Sequence, residues 1–395
     1  MTEEIKRRAS EIEGEIIKLR RELHQHPEKS GSEYLTRDIL MRYLSELDVE
    51  IGPTYFKTGF AVVIRGREVG KTIALRFDMD ALEMDELADC PFKSKHDGLM
   101  HACGHDGHMA MGVGCAMVLS KLKHMMKGQV KLIFQPAEED AVSGGGAKYM
   151  IEEGVLDDAP RVDAVVGMHI WPELKKGEVG TKYGPIMAAS DPFEISISGV
   201  GGHASLPHKC VDPILIASQI VVSLQSVVAR NIDPFDAAVI TVGQLSAGTR
   251  YNTIPQTASL KGTLRSFSQE TRDVLKSHLE KIATAVATGY GGEAKLMFGN
   301  GYPALVNDDE MVADMKATVA SILGEDAFKS VERPASGGED FAYFALERPS
   351  VYLWLGYGES EAKVNPPHSP YYAFDEKILK DGVMTLCQVA VDFLK

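Results

Sequence analysis

The order of two kinds of apolar run is the feature that most constrains the fold of this chain of 395 residues. Short β-branched runs at 60–66, 71–78, 129–135 and 162–168 alternate with runs of helical spacing such as 104–123. Strands that alternate with helices are typical of a largely parallel sheet. We therefore predict an α/β fold with a mostly parallel sheet, in which the runs at 60–66 and 71–78 form neighbouring strands.

A second pattern interrupts this alternation between about residues 189 and 306. Alternating apolar and polar runs and two helical runs follow one another in the order strand, helix, strand, strand, helix, strand. That order is typical of a ferredoxin-like α+β unit. We therefore predict a discontinuous core domain made of residues 1–188 and 307–395, with residues 189–306 as an inserted domain.

Charge and composition exclude several classes of function. The chain has 42 Lys and Arg against 56 Asp and Glu, a net charge of −14, which argues against binding to nucleic acid or to anionic membranes. The most apolar stretch, 214–229, contains polar residues and is too short to cross a bilayer. Five scattered cysteines and a charged N-terminus without a signal peptide favour a reducing, cytoplasmic location. Small molecules, peptides or cations are the expected partners.

The segment His101–His108, with the sequence HACGHDGH, concentrates potential metal ligands. It contains three of the 12 histidines of the chain, together with a cysteine and an acid. Neutral imidazole and thiolate are preferred ligands of borderline transition-metal ions. Gly104 and Gly107 allow the backbone to bend tightly, so that alternate side chains can converge. We therefore predict that Cys103 and His105 bind metal.

Polar side chains also follow three of the predicted strands. Asp78 and Asp80 end one strand, Glu138 and Glu139 follow a second, and His169 directly follows a third. The carboxyl ends of parallel strands meet at one edge of a sheet, where α/β proteins bind ligands. Adjacent residues at a strand end point in different directions. One carboxylate of the Glu pair can therefore bind a metal while the other acts as a general base.

Together with His368 in the segment PPHSP, these positions form a set of five potential ligands. The set comprises Cys103, His105, Glu139, His169 and His368. A tetrahedral catalytic zinc ion uses three protein ligands and keeps one open position, so that five ligands indicate two metal ions. A thiolate placed between two cations stays deprotonated, because each cation stabilises the anion.

In this order the motifs resemble those of the M20 metallo-amidohydrolases, in particular hippurate hydrolases, N-acyl-amino-acid deacylases and indole-acetyl-amino-acid hydrolases. The resemblance runs from about Leu19 to Leu379 through RRELHQHPE, RFDMDAL, HACGHDGHMA, FQPAEE, GMHIWP, GVGGHASLPH, SGGEDFAYF and PPHSPYYAFDE. It implies a zinc-peptidase-like α/β core that forms the catalytic domain. It also implies that the inserted ferredoxin-like unit is a lid that forms a homodimer.

The resemblance further implies how the ligands are shared between two divalent ions, Mn²⁺, Zn²⁺, Co²⁺ or Ni²⁺. Cys103 would bridge the two ions. Glu139 and His368 would complete one site, and His105 and His169 would complete the other.

Five more roles follow from the resemblance. Glu138 would be the general base and proton shuttle, and His203 would reach the active site of a partner subunit to stabilise the oxyanion. Asn252 and Arg265 would bind the substrate, Arg265 as a bidentate partner of an α-carboxylate. Asp78 would be a carboxylate near the ligands that fixes the tautomer of an imidazole.

These residues predict an enzyme that hydrolyses the amide bond of a small-molecule N-acyl-amino acid, such as an acetyl- or benzoyl-amino acid. Two alternatives remain open within the family, namely a dipeptidase and a non-catalytic relative that binds metal or peptide. A cysteine hydrolase with Cys103 as the nucleophile and His105 as the base is a third. It would leave Glu139, His169 and His368 without a role.

Overall fold

The computed structural model describes residues 1–358 and 364–395. Its helices are α1 (Thr2–His24), α2 (Tyr34–Leu44), α3 (His105–Leu122), α4 (Gly145–Glu152), α5 (Pro213–Asn231), α6 (Gln269–Gly289), α7 (Asp309–Leu323), α8 (Ala342–Glu347) and α9 (Ile378–Phe393). Its strands are β1 (Glu50–Tyr55), β2 (Gly59–Arg65), β3 (Glu68–Asp78), β4 (Lys127–Gln135), β5 (Ala164–Lys175), β6 (Val179–Thr181), β7 (Gly184–Met187), β8 (Ala189–Ser198), β9 (Gly202–His203), β10 (Ala238–Ala247), β11 (Thr253–Ile254), β12 (Thr257–Ser266), β13 (Glu293–Phe298), β14 (Leu305–Asn307), β15 (Phe328–Ser330) and β16 (Ser350–Gly358).

The larger sheet has eight strands in the order β1-β2-β4-β3-β5-β16-β6-β15. Its centre is parallel, because β3 pairs in parallel with both β4 and β5, and β5 pairs in parallel with β16. The central strands are buried and apolar, as expected for strands covered on both faces. The predicted α/β class with a mostly parallel sheet is confirmed.

The prediction that the runs at 60–66 and 71–78 are neighbouring strands is wrong. They form β2 and β3, and β4 lies between them. Both edges of β2 are occupied, one by β1 and the other by β4. Buried strands have similar compositions, so the sequence pattern identifies such strands without identifying their neighbours.

Helix α3 is buried on nearly every side, because it carries small and apolar residues all around its axis. It packs against α1 and α9 on one side and against the sheet on the other. Its N-terminus lies at the carboxyl edge of the parallel strands, and this places the segment His101–His108 beside the strand ends.

The smaller sheet has four antiparallel strands in the order β10-β12-β8-β13. Helices α5 and α6 pack against it around a separate apolar core. Chain order and strand order are those of a ferredoxin-like unit, as predicted. The domain boundaries at 188/189 and 306/307 remain predictions.

The apolar stretch 214–229, predicted to be too short to cross a bilayer, lies within the longer helix α5. By length and composition α5 could cross a membrane, and it is the one such helix in the part of the chain that the structure describes. Its buried residues include Ile216, Ile220, Leu224 and Val227, which recur at helical spacing and contribute to the core of the smaller sheet. One third (33%) of the apolar window of α5 is buried, whereas Ile214, Leu215 and Val222 are exposed.

Candidate metal centre

The carboxyl ends of β3, β4 and β5 bring the polar residues of the site together. The prediction that His169 directly follows a strand is wrong, because β5 continues to Lys175. However, β3 pairs with β5 only as far as Gly167. His169 therefore lies beyond the paired part of β3, while the pairing of β5 with β16 continues through it. The histidine consequently reaches the sheet edge from within a strand.

Cys103 and His105 are aimed into the site by the bend that begins α3. Gly104 separates them and has a φ of 89°, in the left-handed region that favours glycine. A Cβ atom at Gly104 would lie 2.7 Å from the hydroxyl oxygen of Tyr372. Both the backbone conformation and the available space therefore require glycine between the two side chains.

All five predicted metal ligands come together around Cys103. The donor atoms of Cys103, His105 and His169 lie within 4.8 Å of one another, and so do those of Cys103, Glu139 and His368. The Sγ atom of Cys103 lies 3.4 Å from Nε2 of His169. Oε1 of Glu139 lies 3.1 Å from Nε2 of His368. Cys103 is thus common to two groups, the arrangement that a bridging ligand requires.

Hydrogen bonds hold the two buried imidazoles with Nε2 directed to the site. Nδ1–H of His105 donates to the carbonyl oxygen of Asp80 at 2.9 Å, and Nδ1–H of His169 donates to that of Ile170 at 2.8 Å. Protein carbonyls orient metal-binding histidines in the same way. Nε2 of His105 is buried and has no hydrogen-bond partner among the described residues. The residues therefore fit two divalent ions.

The charge of the site also requires a cation. Burial, together with the carboxylates of Glu139 and Glu138, raises the pKa of the Cys103 thiol well above its usual range. A cysteine nucleophile needs the opposite, a lowered pKa that makes the thiolate available at neutral pH. The raised pKa of the Cys103 thiol thus disfavours a cysteine hydrolase. A metal ion bound by Cys103 would stabilise its thiolate.

Glu138 faces this centre from the strand end. Ala137, with a φ of 57°, makes the bend that precedes it. Oε2 of Glu138 lies 4.0 Å from Nε2 of His105, and Glu138 forms a donor group with His105 and Glu139. Burial, with the nearby carboxylates of Glu339 and Glu139, raises the pKa of Glu138 well above its usual range. A carboxyl group with a raised pKa is suited to accept a proton and then donate it.

Asp78 is buried beside the centre, but its hydrogen bonds go elsewhere. Its Oδ1 accepts a hydrogen bond from Nδ1 of His108 at 2.6 Å, and its Oδ2 accepts one from Arg76 at 2.6 Å. Nε2 of His108 in turn accepts the N–H of Ile170 at 3.0 Å. Asp78 therefore fixes the tautomer of His108, whose two ring nitrogens are both occupied. Oδ2 of Asp78 lies 3.7 Å from Nε2 of His105.

Asp80 is a supporting residue that sequence reasoning did not assign. Its Oδ2 accepts the N–H of Glu139 at 3.0 Å, and its Oδ1 lies 3.2 Å from Nδ1 of His105. It thereby holds a residue from each of the two groups. The available signal was the alternation of Asp78 and Asp80 after a strand, but a pattern could not decide which one faces the ligands.

Four of the five predicted ligands, all except His105, line a cleft of about 490 Å³ that also contains Arg265. Nη1 of Arg265 is buried and unpaired among the described residues. The apolar part of the lining includes the side chains of Trp171, Pro172, Met187, Pro366 and Pro367. Glu339 and Tyr302, which sequence reasoning gave no role, also line the cleft. A wider groove of about 990 Å³ lies between α1 and α2 and contains none of the predicted site residues.

His203 and Asn252 do not line this cleft. His203 ends β9, which pairs with β11, and the N–H of Ala204 donates to the carbonyl oxygen of Asn252 at 3.1 Å. Both residues are exposed. The structure brings these two predicted residues close to each other and leaves them outside the cleft of their own chain.

Comparison with known proteins identifies the relatives of this chain. Residues 74–392 match the family model described as peptidase family M20/M25/M40. The chain is 40% identical over 381 residues to the N-acetylcysteine deacetylase of Bacillus subtilis, covering 96% of this chain and 97% of that protein. It is also 40% identical to thermostable carboxypeptidase 2 of Saccharolobus solfataricus, over 100% and 99% of the two chains.

A solved structure shows the same fold. The YXEP protein of Bacillus subtilis is described as a dinuclear metal binding peptidase from the M20 family. It superposes with a TM-score of 0.83 at 37% identity, over 98% of this chain and 99% of that chain.

Proposed function

The chain belongs to the M20/M25/M40 peptidase family, and we propose that it hydrolyses the amide bond of N-acyl-amino acids with two divalent metal ions. The products would be a carboxylic acid and a free amino acid. Similarity to a deacetylase and to a dinuclear metal binding peptidase supports this proposal.

One juxtaposition carries the proposal. The cleft that is lined by Cys103, Glu139, His169 and His368 also contains a buried guanidinium nitrogen of Arg265, for which residues 1–358 and 364–395 provide no hydrogen-bond partner. An unpaired guanidinium inside a cleft is a binding site for a carboxylate, which it can hold through two parallel hydrogen bonds. A substrate anchored there by its α-carboxylate would have its amide group inside the same cleft as the ligands.

Each metal ion would be held by Cys103 and by the two other residues of one donor group. Glu139 and His368 would complete one site, and His105 and His169 the other. When bound, the two ions act as Lewis acids that polarise the amide carbonyl and acidify water.

Glu138 would perform the proton transfers. Its raised pKa allows it to take a proton from the attacking water and to keep it until the amide nitrogen leaves. The leaving amine needs this proton, because an unprotonated amide nitrogen departs poorly. His203 of a second copy would stabilise the negative charge that develops on the carbonyl oxygen.

The apolar part of the lining favours an uncharged acyl group. Trp171 stacks on Trp354 with ring centroids 4.4 Å apart and lies edge-on to His169 at 5.5 Å. This fixes an aromatic wall beside a ligand. An acetyl, benzoyl or other aryl-acyl group could pack there, whereas an ammonium group would need one of the carboxylates of the cleft, such as Glu173, as its partner.

Peptide hydrolysis is the second candidate function. The 40% sequence identity of this chain to a thermostable carboxypeptidase supports it. The two activities share the carboxylate anchor and the amide chemistry, and they differ at the acyl side. A dipeptide carries an ammonium group where an N-acyl-amino acid carries none, so the two substrates distinguish the candidates.

The test is a panel of acetyl-, benzoyl- and indolyl-acetyl-amino acids, the amides of the same compounds, and matched dipeptides. The protein is loaded separately with Mn²⁺, Co²⁺, Ni²⁺ and Zn²⁺. We expect the free acids to be hydrolysed faster than their amides, and Arg265→Gln to remove that preference. Faster cleavage of dipeptides would favour the peptidase. No hydrolysis of any compound would favour a non-catalytic relative.

The homodimer and the cytoplasmic location also belong to this proposal. Strand β10 is an edge of the smaller sheet, and Val239 and Leu245 on it are more than 40% exposed. An exposed edge strand with apolar side chains can pair with a second copy. Such a dimer would explain why His203 and Asn252 lie outside the cleft of their own chain.

A further inference from the structure

A second cluster of metal-binding side chains lies away from Cys103, between the end of α1 and the long segment that follows β3. His24 is the last residue of α1, and Glu86 and Cys90 belong to that segment. One donor atom from each of the three side chains lies within 4.8 Å of the other two. His24 and Glu86 are buried, and Cys90 is partly exposed.

Two of the three donor-atom distances in this cluster are close to those of a tetrahedral zinc site. Nε2 of His24 lies 3.2 Å from Oε1 of Glu86, and Sγ of Cys90 lies 3.4 Å from the same oxygen. Zinc bonds of about 2.0 Å to nitrogen and oxygen and about 2.3 Å to sulfur give tetrahedral edges of about 3.3 Å and about 3.5 Å. A zinc ion could therefore enter with shifts of about 0.1 Å in these two distances.

Neighbouring groups fix the ligands in the orientation that a metal needs. Nδ1 of His24 is hydrogen-bonded to Oδ2 of Asp106 at 2.8 Å, which leaves Nε2 directed at the cluster. The N–H of Ser94 donates to Oε2 of Glu86 at 2.7 Å, which leaves Oε1 directed at the cluster. A carboxylate behind the histidine is the usual support of a metal-binding imidazole.

We propose that His24, Glu86 and Cys90 bind a structural Zn²⁺ ion, separate from the metal pair at Cys103. The fourth position would be taken by water, because Cys90 is partly exposed. The charges support this choice. Against the opposing effects of burial and Arg20, Asp106 raises the pKa of His24 to about 10, so zinc binding releases a proton from Nε2 of this histidine. Zn²⁺ with one carboxylate, one thiolate and the resulting neutral imidazole has no net charge.

The ion would fasten a segment that has little regular structure of its own. Between β3 and α3 the chain forms only isolated bridges, such as those of Ala81 with Lys29 and of Leu82 with Met100. Long loops of this kind need an anchor. This segment leads directly into Cys103 and His105, so a zinc clip to α1 would stabilise the approach to the metal pair.

The experiment counts metal ions in the full-length protein. Wild type and variants are incubated with Zn²⁺, freed of loosely bound ions by gel filtration, and analysed by mass spectrometry for zinc per chain. We expect Cys90→Ser to hold one ion fewer than wild type. Serine keeps a donor for the hydrogen bond to Glu86 but is a much poorer zinc ligand than a thiolate. If His24, Glu86 and Cys90 were held together only by hydrogen bonds, the cluster would therefore tolerate this change.

Cys210→Ser is the matched control. Cys210 is equally intermediate in exposure, and its Sγ lies 3.6 Å from a carbonyl oxygen, that of Leu206. We expect this variant to keep the wild-type zinc count. If Cys90→Ser does not fold, Glu86→Gln replaces it, since glutamine keeps the shape and the bond from Ser94.

A zinc count in Cys90→Ser and Glu86→Gln equal to that of wild type would overturn the proposal. Cobalt substitution gives a second readout, because the thiolate-to-cobalt absorption of wild type should weaken in Cys90→Ser. Failure of the amide hydrolysis proposal would show in the substrate panel and would leave this difference in metal count unchanged.

Discussion

Glu138 and Glu139 are adjacent in the chain and contact different neighbours. Glu139 lies 3.1 Å from His368 and belongs to a group that contains Cys103, whereas Glu138 lies 4.0 Å from His105. We therefore predict that Glu138→Gln lowers kcat by about 10²–10⁴-fold and leaves two metal ions at the centre, because it removes the proton carrier and no ligand. Steady-state kinetics and metal analysis measure the two effects.

Glu139→Gln is the matched control for this prediction. It is the same chemical change one residue away, and we expect it to weaken metal binding as well as activity. Full activity of Glu138→Gln at wild-type metal content would remove the residue from the mechanism. Equal metal loss in the two variants would instead make Glu138 a ligand.

Helix α3 begins at a glycine whose neighbours on both sides are predicted ligands. Gly104→Ala would place a left-handed conformation on alanine and a Cβ atom 2.7 Å from the Tyr372 hydroxyl. We expect a loss of unfolding free energy of more than about 1–2 kcal/mol, the usual cost of the left-handed conformation alone. Thermal and chemical denaturation measure it, and weaker metal binding should accompany it.

Gly98→Ala separates the two causes of that loss. Gly98 has a similar φ of 74°, but a Cβ atom there would have open space within 4 Å of the described residues. We expect Gly98→Ala to show the conformational cost alone and to keep its metals. Equal losses in the two variants would mean that the contact with Tyr372 relaxes freely.

Strand β4 carries a buried cation, Lys131, whose amine donates to the carbonyl oxygens of Val155 and Asp158. Burial lowers its pKa from 10.5 to about 8. Between these values the unfolded chain holds more protons than the folded chain, so this group makes stability rise with pH. We predict that the unfolding free energy of wild type, relative to Lys131→Met, rises between pH 8 and 10.5 by up to about 3 kcal/mol.

Urea denaturation of both proteins at several pH values measures this difference, and the subtraction removes other groups that titrate in the same range. A difference that stays flat across the range would show that the buried amine keeps its ordinary pKa. A difference that falls with pH would have the wrong sign for a buried base.

At the scale of the whole molecule, the proposed active site is divided between two copies of the chain. His203→Ala keeps its own Glu138, and Glu138→Gln keeps its own His203. We predict that each variant alone is nearly inactive, and that mixing after dissociation restores about a quarter of wild-type activity. Half of the dimers then contain both variants, and each of these has one intact site of two.

Analytical ultracentrifugation at the assay concentration shows whether the dimer is present. No recovery of activity in a mixture shown to contain mixed dimers would place His203 and Glu138 in the same chain. A control mixture of Glu138→Gln with Arg265→Gln, both proposed to act within one chain's cleft, should recover less activity.

The sequence pattern located the elements more reliably than their arrangement. The apolar stretch at 214–229 lies within α5, and the run at 104–123 differs from α3 by one residue at each end. Helical and extended periodicities are local properties that a sequence displays directly. Strand neighbours are not local, which is why β4 between β2 and β3 was missed. The end of β5 was missed because its pairing with β16, distant in the chain, extends it beyond His169.

What the sequence alone determined was the set of reactive side chains. Dense motifs of cysteine, histidine and glutamate predicted Cys103, His105, Glu139, His169 and His368 as metal ligands, because the chemistry of a side chain is displayed directly by the sequence. Tertiary structure alone decided which atoms face one another. In the folded chain the carbonyl oxygen of Asp80 accepts a hydrogen bond from His105, and His203 lies outside the cleft of its own chain. The fold also brings His24 close to Glu86 and Cys90. Such contacts depend on packing between distant segments, which no local pattern encodes.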